Sequence, residues 1–484
     1  MKRLLASFLV AILPLANCLS APTDKPNVLF IAVDELHDWI GPLRGHPQTR
    51  TPNLDRLAKR SVLFTNTHCA APACNPSRAA LMTGIPPYRS GVYHNPQPWR
   101  KAMPNAVTIP QHFTAHGYWS AGAGKIYHGS YPDPASWTAY FPDQRKNRNG
   151  DPNPPRKNIN GLSRSHFDWG PLSAKDAEMG DYKTATWTVQ QLSKKHDKPF
   201  FVACGIYRPH LPWYVPQKYF DMFPLDSIQL PKTLKNDLSD IPKAGIAMAK
   251  PGGDHAAVVK GKQWKHAVQG YLACIAFADA QIGRVIDALE AGPHKDNTVV
   301  VLWTDHGWHL GEKEHWRKFA LWHRATRTPM FISVPEGTQG LPSGSVRGRQ
   351  CHQATSLMDI YPTLIELCGL TPRKDIAGRS LVPLLKNPDL ETKRAIITTH
   401  GRNNHAIRDP RWRYIRYADG SEELYDHKSD PNEWRNVAED PRHKAVKNRL
   451  AKWLPETNVP DAEYDKGRKK KKSSAKKKKP AKAN

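Results

Sequence analysis

Three features of the chain point to an α/β fold, a mostly parallel sheet flanked by helices and followed by a smaller C-terminal α+β subdomain. Short apolar runs lack polar alternation, helical patterns lie between them, and two of the runs stop abruptly at acidic residues. Asn27-Val28-Leu29-Phe30-Ile31-Ala32-Val33 ends at Asp34-Glu35, and Thr298-Val299-Val300-Val301-Leu302-Trp303 ends at Thr304-Asp305-His306-Gly307. An unbroken apolar run is what a strand buried on both faces needs, as in sheets covered on each side by crossover helices. The runs at 200–204 and 330–334 read as two further strands.

Helical periodicity covers 52–59, 109–116, 182–195, 267–291 and 355–367. Strands alternating with helices imply right-handed crossovers and a parallel sheet. Ligands bind such sheets beyond the carboxyl ends of the strands. Asp34, Glu35, Asp305 and His306 all fall at that edge, so the topology gathers residues from distant parts of the chain. Segments 129–181 and 226–264, rich in Pro, Gly, Asn and charge, read as loops over the site. Past residue 385 short β-rich segments at 395–399, 412–417 and 422–425 predict a small antiparallel sheet, with a helical pattern over 443–453. The expected organisation is thus a leader over 1–21, a catalytic domain over 22–385, a C-terminal subdomain over 386–465 and a tail over 466–484.

The leader has a charged start, Lys2-Arg3, and an apolar run from Leu4 to Ala16, shorter than the roughly 20 residues of a membrane span. It reads as a secretion signal, with lipid anchoring through Cys18 the less favoured alternative. No later segment is long enough to span a membrane. The seven cysteines show neither zinc-ligand spacing nor a dense disulfide framework, though one or two disulfides are compatible with them. Of the net charge of +27, eleven basic residues lie in the tail and two in the leader, which leaves the body near +14. Such a Lys-rich tail is expected to be disordered. With a secretion signal at the other end, the tail fits loose attraction to anionic polymers or surfaces better than nucleic-acid binding, and a solvated tail with no function fits at least as well as either.

Cys74-Asn75-Pro76-Ser77-Arg78, followed by Ala79-Ala80-Leu81-Met82-Thr83-Gly84, resembles the signature of the type I sulfatases, C-x-P-S-R with a following T-G. Gly124-Lys125-Ile126-Tyr127-His128, Arg208-Pro209-His210 and Asp305-His306-Gly307-Trp308 resemble further segments of that family, most closely of its iduronate-2-sulfatase-like group. The resemblance implies an alkaline-phosphatase-like sheet and oxidation of Cys74 to formylglycine by a maturation enzyme. A hydrated aldehyde offers two hydroxyls on one carbon. One attacks sulfur, and the other, losing its proton, collapses to the aldehyde and expels sulfate. A divalent cation and Arg78 should assist the attacking hydroxyl.

The resemblance also implies one Ca²⁺ held by Asp34, Glu35, Asp305, His306 and the modified Cys74, a donor set dominated by hard oxygens. The family usually carries Asp-Asp where this chain has Asp34-Glu35. Lys125 and Lys318 are implied to neutralise sulfate, His128 to help the diol deprotonate and release sulfate, and Lys318 and His210 to protonate the leaving alcohol. His309 and His315 read as structural. The expected substrate is a sulfated carbohydrate, since a positive body and Trp-rich loops suit an anionic sugar. Two alternatives are a formylglycine-dependent phosphonate or phosphodiester hydrolase of the same fold and, less favoured, a non-catalytic binder of sulfated glycans.

Overall fold

The computed structural model describes residues 25–144 and 150–465, so the expected leader and Lys-rich tail lie outside the described residues. A nine-stranded sheet forms the centre. Its order runs Arg349–Cys351, Val62–His68, Arg327–Ser333, Thr298–Thr304, Asn27–Val33, Phe200–Ile206, Trp119–Gly124 and Ala139–Phe141, with Thr355–Ser356 also paired to Val62–His68. Arg327–Ser333 is antiparallel to both neighbours, while the other pairings within the sheet are parallel.

Asn27–Val33 shows why its sequence is uniformly apolar. Leu29, Ile31 and Val33 pack into the core on one face, against the long helix Trp264–Ala291. Val28, Phe30 and Ala32 pack into the core on the other, with residues of the helices Ile109–Ala115 and Ile360–Leu367. With both faces covered, there is no solvent side to demand a polar residue.

The C-terminal part is a four-stranded antiparallel meander, Ile396–Thr399, His405–Arg408, Trp412–Arg416 and Glu422–Asp426. Ala406, Ile415 and Tyr425 face Leu321, Trp322 and Ala325 of the catalytic portion, while Ile407, Tyr414 and Leu424 meet Leu450 of the helix Lys444–Ala451. The chain then returns to the catalytic portion, where Val459 N–H donates to Tyr88 O and Ala462 N–H to Gly91 O.

Several expectations are corrected. Residues 355–367 are not one helix: Thr355–Ser356 pairs with the central sheet, and Ser356 then caps a 3-10 turn that leads into Ile360–Leu367. The segments expected to be loops contain regular structure, including the edge strand Ala139–Phe141, the helices Lys243–Ala249 and Asp254–Lys260, and Trp169–Leu172 paired with Trp213–Pro216. The strand His405–Arg408 is an addition to the expected antiparallel sheet, since Ile407 is its one β-branched residue. Cys69, Cys74, Cys204, Cys274, Cys351 and Cys368 are all free and buried, so no disulfide forms among the described residues.

Candidate active site

The register of the sheet builds the site. Val33 pairs with Thr304 on one side and Ile206 on the other, so the residues after these three strands emerge together. Asp34 and Glu35 follow the first strand, Asp305 and His306 the second, and His210 lies just past the third. Lys125 enters from the next strand, where its N–H donates to Gly205 O at 3.0 Å. That approach requires glycine: Gly124 lies in the left-handed region at φ +72, and a Cβ on it would lie 2.1 Å from Gly205 O.

Cys74 is the first residue of a fully buried helix, Cys74–Thr83, closed at Gly84 with φ 73. The helix N-terminus favours negative charge at this position. One turn on, Arg78 is 1% exposed and every side-chain nitrogen is engaged. Its Nε donates to Asp305 Oδ2 at 2.9 Å, Nη2 to Asp34 Oδ1 at 2.9 Å, and Nη1 to the carbonyls of Lys125 and Ile126 at 2.7 and 2.9 Å. Arg78 therefore fixes the two aspartates and the Lys125 segment relative to the Cys74 helix with four of its five N–H donors, which leaves one Nη2 N–H.

Lys318 Nζ donates to Cys74 Sγ at 3.1 Å and also to Glu35 Oε1, while Lys125 Nζ donates to Asp34 Oδ2. His306 Nδ1 donates to Gly307 O at 3.0 Å, which leaves Nε2 as a bare lone pair 3.4 Å from Cys74 Sγ. Glu35 adopts φ 63, and its backbone is held by Tyr271 Oη, which donates to its carbonyl at 2.7 Å, and by its own N–H, which donates to Asp305 Oδ1 at 3.1 Å. His210 Nδ1 donates to Leu211 O and Nε2 lies 3.1 Å from Glu35 Oε1. Two acceptors at that separation need a proton between them.

Burial works to raise the Asp34 carboxyl, yet Lys125 and Arg78 hold it well below the ordinary range. Glu35 behaves oppositely: burial carries it up to about 7 despite Lys318. Burial also pushes the Cys74 thiol up, against the pull of Lys318 and Lys125. For both lysines burial is outweighed by the acids and Cys74 around them, and their ammonium groups are raised above the usual value. His128 and His210 are driven well down by burial, with Lys125 adding to the effect.

The fit to a hard cation can be judged from the donors present. One oxygen or nitrogen each of Asp34, Glu35 and His306, with Cys74 Sγ, lie within 4.8 Å of one another. Glu35 Oε2 is buried with no hydrogen-bond partner. Such an orphaned carboxylate oxygen, beside a bare imidazole nitrogen, suits a divalent cation that binds oxygen. Asp305 falls outside that group of four and touches it through the Glu35 and His306 N–H groups, both of which donate to its Oδ1.

A cavity of about 660 Å³ opens at Lys125, His128 and His210 and is walled by Tyr207, Arg208 and Tyr214. His128 stands in this wall and forms no bond to Cys74 or the carboxylates; its Nδ1 accepts from Ser130 N–H at 3.4 Å. Arg208 is buried and paired with Asp151 at 2.5 Å. His309 and His315 bond only to carbonyls, His315 linking Ala249 O and Lys318 O and so bracing the Lys318 backbone. Residues the sequence did not single out include Tyr271 behind Glu35, Tyr207 over Lys125 at 4.9 Å, and Asn95, whose Oδ1 accepts the Asn75 N–H. None of them sits in a pattern that marks it.

Comparison with known proteins completes the description. The family described as Sulfatase matches residues 26–370, and the one described as N-sulphoglucosamine sulphohydrolase, C-terminal, matches residues 311–459. A sulfatase of Formosa agariphila is 41% identical over 470 residues, covering 91% of this chain and 88% of its own. Iduronate 2-sulfatase of Mus musculus is 30% identical, over 76% of this chain and 73% of its own. Among solved structures, a phosphonate monoester hydrolase of Agrobacterium radiobacter superimposes with a TM-score of 0.72 at 23% identity, over 89% of this chain and 95% of that one, which speaks for the fold.

Proposed function

The chain belongs to the sulfatase family and hydrolyses sulfate esters, and from that premise we propose that its substrate is a sulfated carbohydrate, cleaved with a formylglycine made from Cys74 and one bound Ca²⁺. The observation that carries this reading is the setting of Cys74: at the start of a buried helix, 3.1 Å from Lys318 Nζ and 3.4 Å from His306 Nε2, among three acids held at strand ends. A carbohydrate is supported by the relative named iduronate 2-sulfatase and by a cavity whose wall combines the cationic Lys125 with Tyr207 and Tyr214.

In this reading Asp34, Glu35, Asp305 and His306 hold Ca²⁺, which supplies a fixed positive field, and the hydrated formylglycine supplies two hydroxyls on one carbon. The chain's own residues do the rest. Lys125 and Lys318 keep their protons and face the sulfate oxygens with positive charge. Arg78 holds the aspartates in place beside residue 74. Lys318 Nζ and His210 Nε2 are the sites from which a proton reaches the leaving alcohol, and His128 takes up the proton released as sulfate departs. Maturation of Cys74 requires a formylglycine-generating enzyme. The leader pattern over 1–21 supports export to the periplasm or beyond, and among the described residues no helix is long and apolar enough to cross a membrane.

The test is release of inorganic sulfate from a panel of sulfated oligosaccharides, set beside phosphonate and phosphodiester substrates. Turnover of at least one sulfated sugar in preference to the phosphorus esters is expected. Sulfate release from aryl or choline esters alone would sink the carbohydrate assignment.

A further inference from the structure

A second basic cavity, separate from the Cys74 site, lies between the edge of the central sheet and the C-terminal meander. It measures about 440 Å³, its wall carries Arg327, Arg408, Arg411, Lys428, His323 and His427, and among the described residues no Asp or Glu lines it. The carboxylates nearby are already matched. Asp38 pairs with Arg324 and Arg327, Asp409 with Arg449, Asp426 with Arg411, and Glu433 with Arg413. Arg408 is left over. It is 5% exposed, its Nε and Nη1 are buried with no hydrogen-bond partner, and among the described residues it forms no ion pair. A buried guanidinium without an anion is costly, so native structures supply one.

We propose that this cavity is a binding site for a tetrahedral oxyanion, a sulfate group either free or esterified to a sugar, with Arg408 as its central ligand. The guanidinium fork offers two parallel donors, the geometry that sulfate oxygens accept best. Lys428 adds charge at the rim. A cation would be the other reading of this cluster, since donor atoms of His323, His427 and Glu433 lie within 4.8 Å of one another. The contacts argue against it: Glu433 Oε1 is ion-paired with Arg413 at 2.7 Å and accepts from His427 Nε2 at 2.9 Å, and Oε2 accepts from the His323 N–H at 2.8 Å. With both oxygens occupied and Arg413 and Arg408 close by, the local field favours an anion. The cavity shares Thr65, Arg327 and His352 with a neighbouring one of about 590 Å³, which gives room for a sugar attached to the sulfate.

The catalytic cavity also receives sulfate, so location and stoichiometry must be read together. Crystals of the intact protein soaked in selenate, whose anomalous signal reports position, are expected to show one site at Arg408 besides any at Lys125. Calorimetry with sodium sulfate should find one more site in the wild type than in Arg408→Met, with competitive inhibition of turnover by sulfate unchanged. Lys428→Glu, on the surface, should weaken that extra site about tenfold, the worth of one charge-assisted contact, which covers the case in which Arg408→Met fails to fold. A sugar monosulfate that displaces selenate from Arg408 assigns the site to esterified sulfate, and failure to displace assigns it to the free ion. Selenate confined to the catalytic cavity, or sulfate binding that neither variant alters, overturns the proposal.

Discussion

The two clusters of buried charge differ in what they leave unmatched. At the strand ends Asp34, Glu35 and Asp305 meet Arg78, Lys125 and Lys318, and the remainder is an acceptor, Glu35 Oε2. At the junction with the C-terminal meander Asp38, Asp409, Asp426 and Glu433 are each paired with an arginine, and the remainder among the described residues around this cavity is a donor, Arg408. Density of buried charge is thus no guide to chemistry. The sign of the leftover group is, since an orphaned oxygen calls for a cation and an orphaned guanidinium for an anion. The strand-end cluster alone adds a reactive side chain at a helix N-terminus.

The comparison breaks most visibly at Cys74. Cys74→Ala should lower kcat by roughly 10⁴-fold or more, as loss of a covalent nucleophile does, while the melting temperature stays unchanged. Activity retained in that variant would refute the assignment. Next come the two central arginines. Arg78→Met and Arg413→Met each strand buried carboxylates and should each cost about 3–5 kcal/mol in denaturant unfolding. Only Arg78→Met should also abolish turnover per folded molecule. Equal activity losses would mean that the junction belongs to the active site.

The junction should further show itself in acid. Burial works to raise Glu433, but Arg413 and His427 depress it to about 2 from the ordinary 4.5. A depressed carboxylate contributes stability that is full above pH 4.5 and is lost as pH falls toward 2. Urea midpoints measured across that window should fall more steeply for the wild type than for Glu433→Gln, and parallel slopes would contradict the pairing. At the strand ends, Glu35→Gln should raise the calcium concentration for half-maximal activity about tenfold, consistent with one charged ligand lost. The smallest effect is expected at Tyr207, whose ring faces Lys125. Tyr207→Leu should raise KM a few-fold, in keeping with about 0.5–1 kcal/mol for a cation–π contact.

What was legible in the sequence follows from pattern length. Strands such as Asn27–Val33 and Thr298–Thr304 announce themselves because burial on both faces forbids polar residues over a full seven positions. Their acidic ends mark the functional edge for the same reason, since charge beside such a run has nowhere to go but the sheet's rim. Trp119–Gly124 was not visible, as its Gly122 and Gly124 serve close packing and dilute the apolar signal. The His405–Arg408 strand carries a single β-branched residue, Ile407, and so little strand signal. Arg78 is expected beside the nucleophile, and it is, but its engagement by Asp34, Asp305 and two carbonyls depends on the crossing of helix and sheet, which no spacing encodes. Arg408 was invisible for a related reason: that it lacks a partner is a property of its neighbours.

The central claim is that residue 74 acts as a formylglycine, and mass spectrometry of the peptide that contains it, taken from turnover-competent protein, tests this most directly. The account predicts that peptide with an aldehyde, in its free or hydrated form, in place of the cysteine side chain. An intact thiol at position 74 throughout a sample that still releases sulfate would contradict it.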